Sequence, residues 1–222
     1  GKKCVVSGSG NVAIYTMQKL YELGAKPIAC SDSRGMIHDE KGIDLALIKE
    51  LKEVKRGSLS DYLEYHSDAK YTPVSQYPDG RNQIWSVPCD AAFPSATQNE
   101  LNEEDAKVLL KNGCYCISEG ANMPSTPHAI DLFVDAKIAY GPGKAANAGG
   151  VATSQLEMAQ NASMSTWSFE SVDAKLDDIM QNIHQRTIIT AEEFGEPTNL
   201  VLGANIAGFR RVADAMIEQG LV

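Results

Sequence analysis

A glycine-rich turn near the start of the chain constrains the fold more than any other sequence feature. The turn reads Gly8-Ser9-Gly10-Asn11-Val12-Ala13 and follows directly on an apolar run over residues 3–7. Apolar residues then recur at helical spacing up to Gly24, and a second apolar run over residues 26–30 leads to Asp32. A strand, a helix and a second strand within about 30 residues are the minimum unit of a parallel sheet.

The glycines of this turn predict a dinucleotide site. Gly8 and Gly10 leave backbone N–H groups at a helix N-terminus open to a pyrophosphate, and Ala13 permits close packing of the helix on the strand. The motif alone is a weak signal, but Asp32 lies 22 residues after Gly10, at the end of the next predicted strand, where such sites carry an acidic residue. The alternative, in which the glycines only form a tight turn, remains open.

The residues around Asp32 indicate two possible cofactors. An acidic residue at this position normally accepts a hydrogen bond from the ribose 2′-OH of NAD and repels the 2′-phosphate of NADP. Ser33, Arg34 and Lys55 instead supply a hydroxyl, a guanidinium and an ammonium group that suit a phosphate. Arg34 and Lys55 are equally compatible with an ordinary solvated face. The residues alone therefore leave both NADP and NAD open.

The rest of the chain predicts a layered α/β protein. Strand and helix patterns alternate again over residues 87–140, and after Gly150 only helical patterns remain. We therefore predict an α/β fold, Rossmann-like and doubly wound, with a mostly parallel sheet and C-terminal helices. We expect residues 1–222 to form a dinucleotide-binding domain, with a Rossmann-like core over residues 1–150 and helices over residues 151–222 that would return toward an absent substrate domain.

The segment between the second and third predicted strands is less regular. We predict helices over residues 43–55 and 60–66, with Ser60 capping the second. Residues 71–85 follow no regular period and are expected to form two short extended pieces around a turn at residues 78–80.

Composition excludes several classes of partner. Acidic residues outnumber basic ones by 29 to 20, and the formal charge of −9 argues against nucleic acid or an anionic membrane surface. No apolar run approaches the ~18 residues of a membrane span. The five cysteines form an odd set without a signal peptide, which favours a reduced, cytoplasmic protein. Cys114 and Cys116 could begin a metal site, but no second Cys or His pair lies near them in sequence, so we predict no bound metal.

Three polar loops follow predicted strands, at residues 94–100, 119–124 and 141–150. Each combines small residues, which let a ligand approach the backbone, with an amide or hydroxyl that can bind a carboxamide such as nicotinamide. Ligands of open α/β sheets bind beyond the carboxyl ends of the strands, so these loops favour a ligand site. Turn formation is the competing explanation, because Asn, Gly and Pro also occur in turns and caps.

Taken together, these stretches resemble the nucleotide-binding domain of hexameric glutamate dehydrogenases, in particular the NADP-dependent bacterial type. The resemblance covers residues 3–222 and is most specific at residues 7–13, 96–101, 119–124, 142–154 and 203–209. It implies a site for NADP, with NAD possible. The cofactor-binding residues would be Gly8, Ser9, Gly10, Asn11, Val12, Asp32, Ser33, Arg34, Lys55, Ala96, Thr97 and Asn122.

The resemblance also implies roles for individual residues. Ser33 and Lys55 occupy positions that meet the 2′-phosphate, and Thr97 and Asn122 lie along the nicotinamide ribose and carboxamide. The substrate-binding residues would be Asn147, Val151 and Ser154, with Ser154 reaching the side-chain carboxylate of glutamate.

The implied reaction interconverts L-glutamate with 2-oxoglutarate and ammonia by hydride transfer. The family's acid, base and carboxylate-binding lysines belong to an N-terminal domain, so we assign no catalytic residue to this chain and expect it to be an inactive fragment of a homo-hexamer. Another amino-acid dehydrogenase would need apolar groups around the substrate side chain, which the hydroxyl of Ser154 disfavours. A nucleotide-sensing module without enzyme activity is the alternative from a different class.

Overall fold

The computed structural model describes residues 1–78 and 81–220, and it separates into two compact units, Gly1–Ala139 and Tyr140–Val222. Of the turn predicted at residues 78–80, Asp79 and Gly80 lie outside the described residues. Among the described residues, no helix combines the length and the apolar character that crossing a bilayer requires.

The described ranges contain a sheet of seven strands. They are β1 (Lys3–Val6), β2 (Lys26–Ser31), β3 (Gly35–His38), β4 (Lys70–Pro73), β5 (Ala91–Phe93), β6 (Cys116–Ser118) and β7 (Ala139–Gly141). The order across the sheet is β4-β3-β2-β1-β5-β6-β7. β1 pairs in parallel with β2 and β5, and β5 pairs in parallel with β6, whereas β3 pairs antiparallel with β2 and β4. The predicted α/β, doubly wound and mostly parallel sheet is confirmed.

The first unit contains four α-helices within the described residues, and the first of them begins directly after the glycine turn, as predicted. They are α1 (Asn11–Glu22), α2 (Leu45–Lys49), α3 (Glu103–Lys111) and α4 (Pro127–Asp135). Ala13, Ile14, Met17 and Leu20 are buried along α1, at the spacing that faces one side of a helix toward the sheet. Burial of a side chain as large as Ile14 or Met17 contributes about 1.5–3 kcal/mol.

The irregular segment differs from its prediction in detail. The helix predicted over residues 43–55 is α2 followed by a π-helical segment, Glu50–Val54. The helix predicted over residues 60–66 is a 3₁₀ helix, Leu59–Glu64, and its cap is Ser58 rather than Ser60. Ser58 caps the helix because its hydroxyl accepts the N–H of Ser60 while the carboxylate of Asp61 accepts the N–H of Ser58. These reciprocal hydrogen bonds form a capping box.

The second unit is helical after its short strand residues, as predicted for the chain beyond Gly150. It contains α5 (Gly143–Ala146), α6 (Gly149–Ala162), α7 (Phe169–Glu193) and α8 (Leu200–Gln219). α7 and α8 approach closely at Gly203, where a Cβ atom would clash with the carbonyl of Thr187 and lie 3.1 Å from Cβ of Ala191. A small residue at this position therefore sets the distance between the two helices.

Candidate functional site

A cleft opens at the carboxyl ends of β1, β2 and β5. β1 lies between β2 and β5. After β1 the chain adds β2, β3 and β4 on one side of β1, and it then adds β5, β6 and β7 on the other side. This reversal of strand order is where open α/β sheets bind ligands. The cleft has a volume of about 1030 Å³. It is lined by Gly8, Ser9, Gly10, Asn11, Val12, Ile14, Ser31, Asp32, Ser33, Lys52, Glu53, Arg81, Asn82, Ser95, Ala96, Thr97, Asn99, Glu100, Asn102 and Asp105.

The first glycine of the turn is required by the protein itself. Gly8 has φ +89°, in the region that favours glycine, and a Cβ there would lie 3.1 Å from the carbonyl oxygen of Ser95 and 3.2 Å from Cβ of Ala96. Its backbone N–H donates to Oγ of the buried Ser31 at 3.0 Å. Gly8 is therefore fixed between the ends of β1, β2 and β5.

The second glycine is not required by the protein. Gly10 has φ −87°, and a Cβ there would meet nothing within 4 Å. It stands at the N-terminus of α1, where no side chain of the described part of the chain caps the helix. The N–H groups of the first turn therefore face the cleft without a side chain covering them, which suits a pyrophosphate at a helix N-terminus. The turn fits the phosphates of a dinucleotide.

Asp32, the acidic residue after β2, is largely used within the protein. Its Oδ1 accepts the backbone N–H groups of Arg34 at 2.8 Å and Gly35 at 3.1 Å. Its Oδ2 pairs with Nζ of Lys52 at 2.9 Å, and its side chain is 9% exposed. Asp32 thus stabilises the turn into β3 and carries a compensated charge.

Lys52 comes to the cleft on the π-helical segment. Besides Asp32, its Nζ donates to the carbonyl oxygen of Gly57 at 3.2 Å, and its side chain is 22% exposed. π-helical turns occur frequently at functional sites. Glu53, on the same segment, also lines the cleft.

Of the other described residues predicted to contact a phosphate, only one lines the cleft. Ser33 lines the cleft, whereas neither Arg34 nor Lys55 is among the described residues that do so. Lys55 is exposed, pairs with Oε1 of Glu50 at 2.8 Å and donates to the hydroxyl of Tyr65 at 3.2 Å. The hydrogen bond that Lys55 donates to Glu50, followed by the one it donates to Tyr65, raises the pKa of Lys55.

The loop after β5 is shaped by Glu100. Its Oε1 accepts the backbone N–H groups of Ala96 at 2.9 Å and Thr97 at 3.3 Å, which holds both predicted cofactor residues against the cleft. Burial raises the pKa of Glu100, although these backbone hydrogen bonds oppose the rise. The N–H of Ser95 donates to Oγ of Ser7 at 2.8 Å and so ties the loop to β1.

A further wall of the cleft comes from segments that the sequence did not single out. Arg81 lies 3.7 Å from Oδ1 of the buried Asp105, whose pKa is raised by burial. Asp105 and Asn102 form a capping box at the start of α3. The amide of Asn82 donates to Oγ of Ser31 at 3.4 Å. Polar groups therefore line the cleft on this side as well.

The remaining predicted residues lie elsewhere. Asn122 is exposed in the turn after β6 and is not among the described residues lining the cleft. The predicted substrate residues belong to the second unit. Asn147 ends α5, Val151 is exposed on α6, and Oγ of Ser154 donates to the carbonyl of Gly150 at 3.3 Å.

Sequence reasoning missed several residues that line the cleft. Lys52 and Glu53 carry no motif, although their place on a helix following the second strand could have suggested them. Arg81 and Asn82 stand in a segment without regular period, where no sequence signal points to the cleft. The five cysteines are free, and no group of His, Cys, Asp or Glu suited to a metal occurs among the described residues.

Comparison with known proteins identifies the chain's relatives. It is 65% identical over 221 residues to an NADP-specific glutamate dehydrogenase of Helicobacter pylori strain J99, covering 100% of this chain and 49% of that protein. It is 52% identical over 224 residues to an NAD(P)-specific glutamate dehydrogenase of Xylanibacter ruminicola, covering 100% and 49%. The chain therefore spans about half the length of these curated relatives.

A solved structure and a family model agree with these relatives. The crystal structure of Plasmodium falciparum glutamate dehydrogenase superimposes with a TM-score of 0.92 at 48% identity, covering 100% of this chain and 47% of that one. Residues 1–220 match the family model described as Glutamate/Leucine/Phenylalanine/Valine dehydrogenase. The chain thus belongs to the Glutamate/Leucine/Phenylalanine/Valine dehydrogenase family.

Proposed function

We propose that this chain is the cofactor-binding part of an NADP-dependent glutamate dehydrogenase, which interconverts L-glutamate with 2-oxoglutarate and ammonia. The observation that carries the proposal is the cleft at the reversal of strand order, with Gly10 leaving the N-terminus of α1 open toward it. The Helicobacter pylori relative, named as NADP-specific, supports the choice of cofactor, and the NAD(P)-specific relative keeps NAD as the competitor.

The residues of this chain would hold and orient the cofactor. The N–H groups at the start of α1, together with Ser9, bind the pyrophosphate. Ser33 and Lys55 contact the 2′-phosphate, with Lys55 changing its side-chain conformation to do so. Arg34, next to Ser33 in sequence, lies at this 2′-phosphate end of the site. Thr97 and Asn122 orient the nicotinamide at the other end.

The chemistry of hydride transfer is supplied by the nicotinamide, which accepts a hydride from the α-carbon of glutamate when NADP⁺ is bound. Asn147, Val151 and Ser154 position the substrate, and the hydroxyl of Ser154 favours a side-chain carboxylate over an apolar side chain. We assign no catalytic residue to this chain and place the acid and the base in the half of the relatives that it does not cover.

The arrangement of the whole protein is part of the same proposal. The Rossmann-like core would extend over residues 1–150, and the helices of residues 151–222 would return toward a substrate domain. The full-length protein would be a cytoplasmic homo-hexamer that uses neither nucleic acid nor a membrane as partner.

Two measurements test the proposed function. Glutamate-dependent formation of NADPH should occur with the full-length protein and be absent from residues 1–222 alone. Replacing glutamate by leucine, valine or phenylalanine should reduce the rate of NADPH formation strongly, because an apolar side chain offers no carboxylate to the hydroxyl of Ser154. Equal rates with leucine and glutamate would favour a branched-chain dehydrogenase, and binding of dinucleotide without any turnover by the full-length protein would favour a sensor.

A further inference from the structure

We propose that Lys52 determines cofactor specificity: its ammonium group compensates the charge of Asp32 and directs its remaining N–H toward the 2′-phosphate of NADP. The inference rests on the proposed function, because it concerns the ribose end of the same cleft. It adds a residue that neither the glycine motif nor the resemblance to glutamate dehydrogenases had indicated.

The first step is the state of Asp32. A free carboxylate beside the ribose would favour the 2′-OH of NAD and repel a 2′-phosphate. Here Oδ1 accepts two backbone N–H groups and Oδ2 accepts Lys52. Three of the roughly four lone-pair sites of the carboxylate are therefore occupied within the chain. Asp32 has little capacity left to accept a ribose hydroxyl.

The second step is the donor count of Lys52. An ammonium group carries three N–H donors. One goes to Asp32 Oδ2 at 2.9 Å and one to the carbonyl oxygen of Gly57 at 3.2 Å. No hydrogen bond of the described residues uses the third N–H of Lys52. Lys52 lines the same cleft as Asp32 and Ser33. The ion pair thus presents a hydrogen-bond donor, rather than an uncompensated negative charge, beside Ser33.

The third step is the rigidity of this arrangement. Lys52 is held by two acceptors, and Asp32 is held by two backbone amides and Lys52, so neither group must be reordered when a ligand arrives. Lys55 differs in each respect, because it is exposed and paired with Glu50 outside the cleft lining. Lys52 is therefore a prearranged phosphate donor, and Lys55 would have to leave Glu50 to reach the same group.

The test is calorimetric titration of NADP⁺ and NAD⁺ into residues 1–222 and its variants. Lys52→Met should weaken NADP⁺ by about tenfold or more, as expected for the loss of a charge-assisted hydrogen bond, and change NAD⁺ by less than about threefold. Lys49→Met is the matched control, because Lys49 ends α2, directly before the π-helical segment of Lys52, but donates to Gln18 outside the cleft lining. It should leave both affinities unchanged.

A second variant distinguishes a loss of NADP⁺ binding from a loss of the fold. Lys52→Met leaves the carboxylate of Asp32 without its cation, whereas the double variant Asp32→Asn with Lys52→Met removes both charges. Thermal denaturation should show that the double variant is folded. It should still bind NADP⁺ more weakly than the unsubstituted chain. Unchanged NADP⁺ binding in the double variant, or an equal loss in Lys49→Met, would overturn the inference. Failure of the unsubstituted chain to bind either dinucleotide would instead overturn the proposed function.

Discussion

Oγ of Ser31 accepts a hydrogen bond from the backbone N–H of Gly8 at 3.0 Å. Ser31 ends β2 and Gly8 follows β1, so this single buried hydroxyl joins the two strand ends on which the cleft is built. The amide of Asn82 donates to the same oxygen at 3.4 Å and brings in a third segment. The shape of the glycine turn therefore depends on a serine that is not part of the glycine motif.

Substituting Ser31→Ala should lower both stability and cofactor affinity. The buried N–H of Gly8 loses its acceptor, which costs about 1–3 kcal/mol of the free energy of unfolding. Urea denaturation measures the first effect and calorimetric NADP⁺ titration the second. Ser33→Ala is the control, because Ser33 is exposed: it should change stability by less than about 0.5 kcal/mol while still weakening NADP⁺. Equal stability of the two variants would contradict the structural role of Ser31.

The two glycines of the turn should respond differently to alanine. Gly8→Ala forces a side chain into a positive φ and close to Ser95, so it should destabilise the fold by about 1–2 kcal/mol or more. Gly10→Ala has space and an ordinary φ, so it should fold normally and lose affinity for the dinucleotide, because its Cβ occupies the approach to the helix N-terminus. Gly10→Ala with undiminished NADP⁺ binding would show that the pyrophosphate binds elsewhere.

Alanine at two glycines of α8 should have opposite effects on stability. Gly203→Ala overpacks the contact with Thr187 and should cost about 1–3 kcal/mol. Gly208→Ala lies on the same helix with nothing within 4 Å of its Cβ, so it should stabilise by about 0.5–1 kcal/mol through helix propensity. Urea denaturation of both variants measures the difference. A loss of stability in Gly208→Ala would mean that this face of α8 is covered in solution.

Asp105 should make stability depend on pH in the direction opposite to most carboxylates. Burial raises its folded-state pKa above the ordinary value of 3.8, so the unfolded chain loses the proton first as pH rises. The contribution of Asp105 to the free energy of unfolding therefore decreases from pH 3.8 up to its folded pKa. Asp105→Asn removes this decrease and should gain stability relative to the unsubstituted chain across that window.

Glu103→Gln provides the control of opposite sign. A hydrogen bond from Lys107 lowers the pKa of Glu103 below its ordinary 4.5, so its stabilising contribution is present above pH 4.5 and is lost as pH falls through the lowered pKa. This variant should lose stability relative to the unsubstituted chain as pH rises, by a small amount because Glu103 is exposed. Thermal denaturation between pH 3 and pH 7 compares the two, and the same sign in both would refute the assignment to burial.

The elements that were predicted correctly are those whose signals are local. The glycine turn, the apolar run before it and the helical spacing after it lie within a single stretch of sequence, and α1 and β2 follow from them. β3 was missed because it is four residues long and mixes polar with apolar side chains, so only its pairing with β2 and β4 makes it a strand. β4 coincides with the start of the first extended piece predicted within residues 71–85, but Val74–Gln76 and Gln83–Ser86 form 3₁₀ helices instead of extended chain.

The cleft could be predicted only in part for a similar reason. Gly8 to Val12, Ser33 and Thr97 follow strands, and the fold places strand ends together. Lys52 and Arg81 reach the same cleft from segments whose direction is decided by tertiary packing, around Leu51 in one case and Asp105 in the other. The pairing of Lys52 with Asp32 needs both positions in three dimensions, and no spacing rule of the sequence encodes it.

The π-helical segment Glu50–Val54 has a consequence for how this site changes during evolution. Its hydrogen bonds span one residue more than those of an α-helix, as in the bond from Lys55 N–H to Glu50 carbonyl at 2.9 Å. Deleting a single residue here would let the segment close as an α-helix and turn the following side chains by about 100°. A deletion in this segment would therefore change the direction of the side chains that follow it relative to the cleft, with no substitution in the glycine turn.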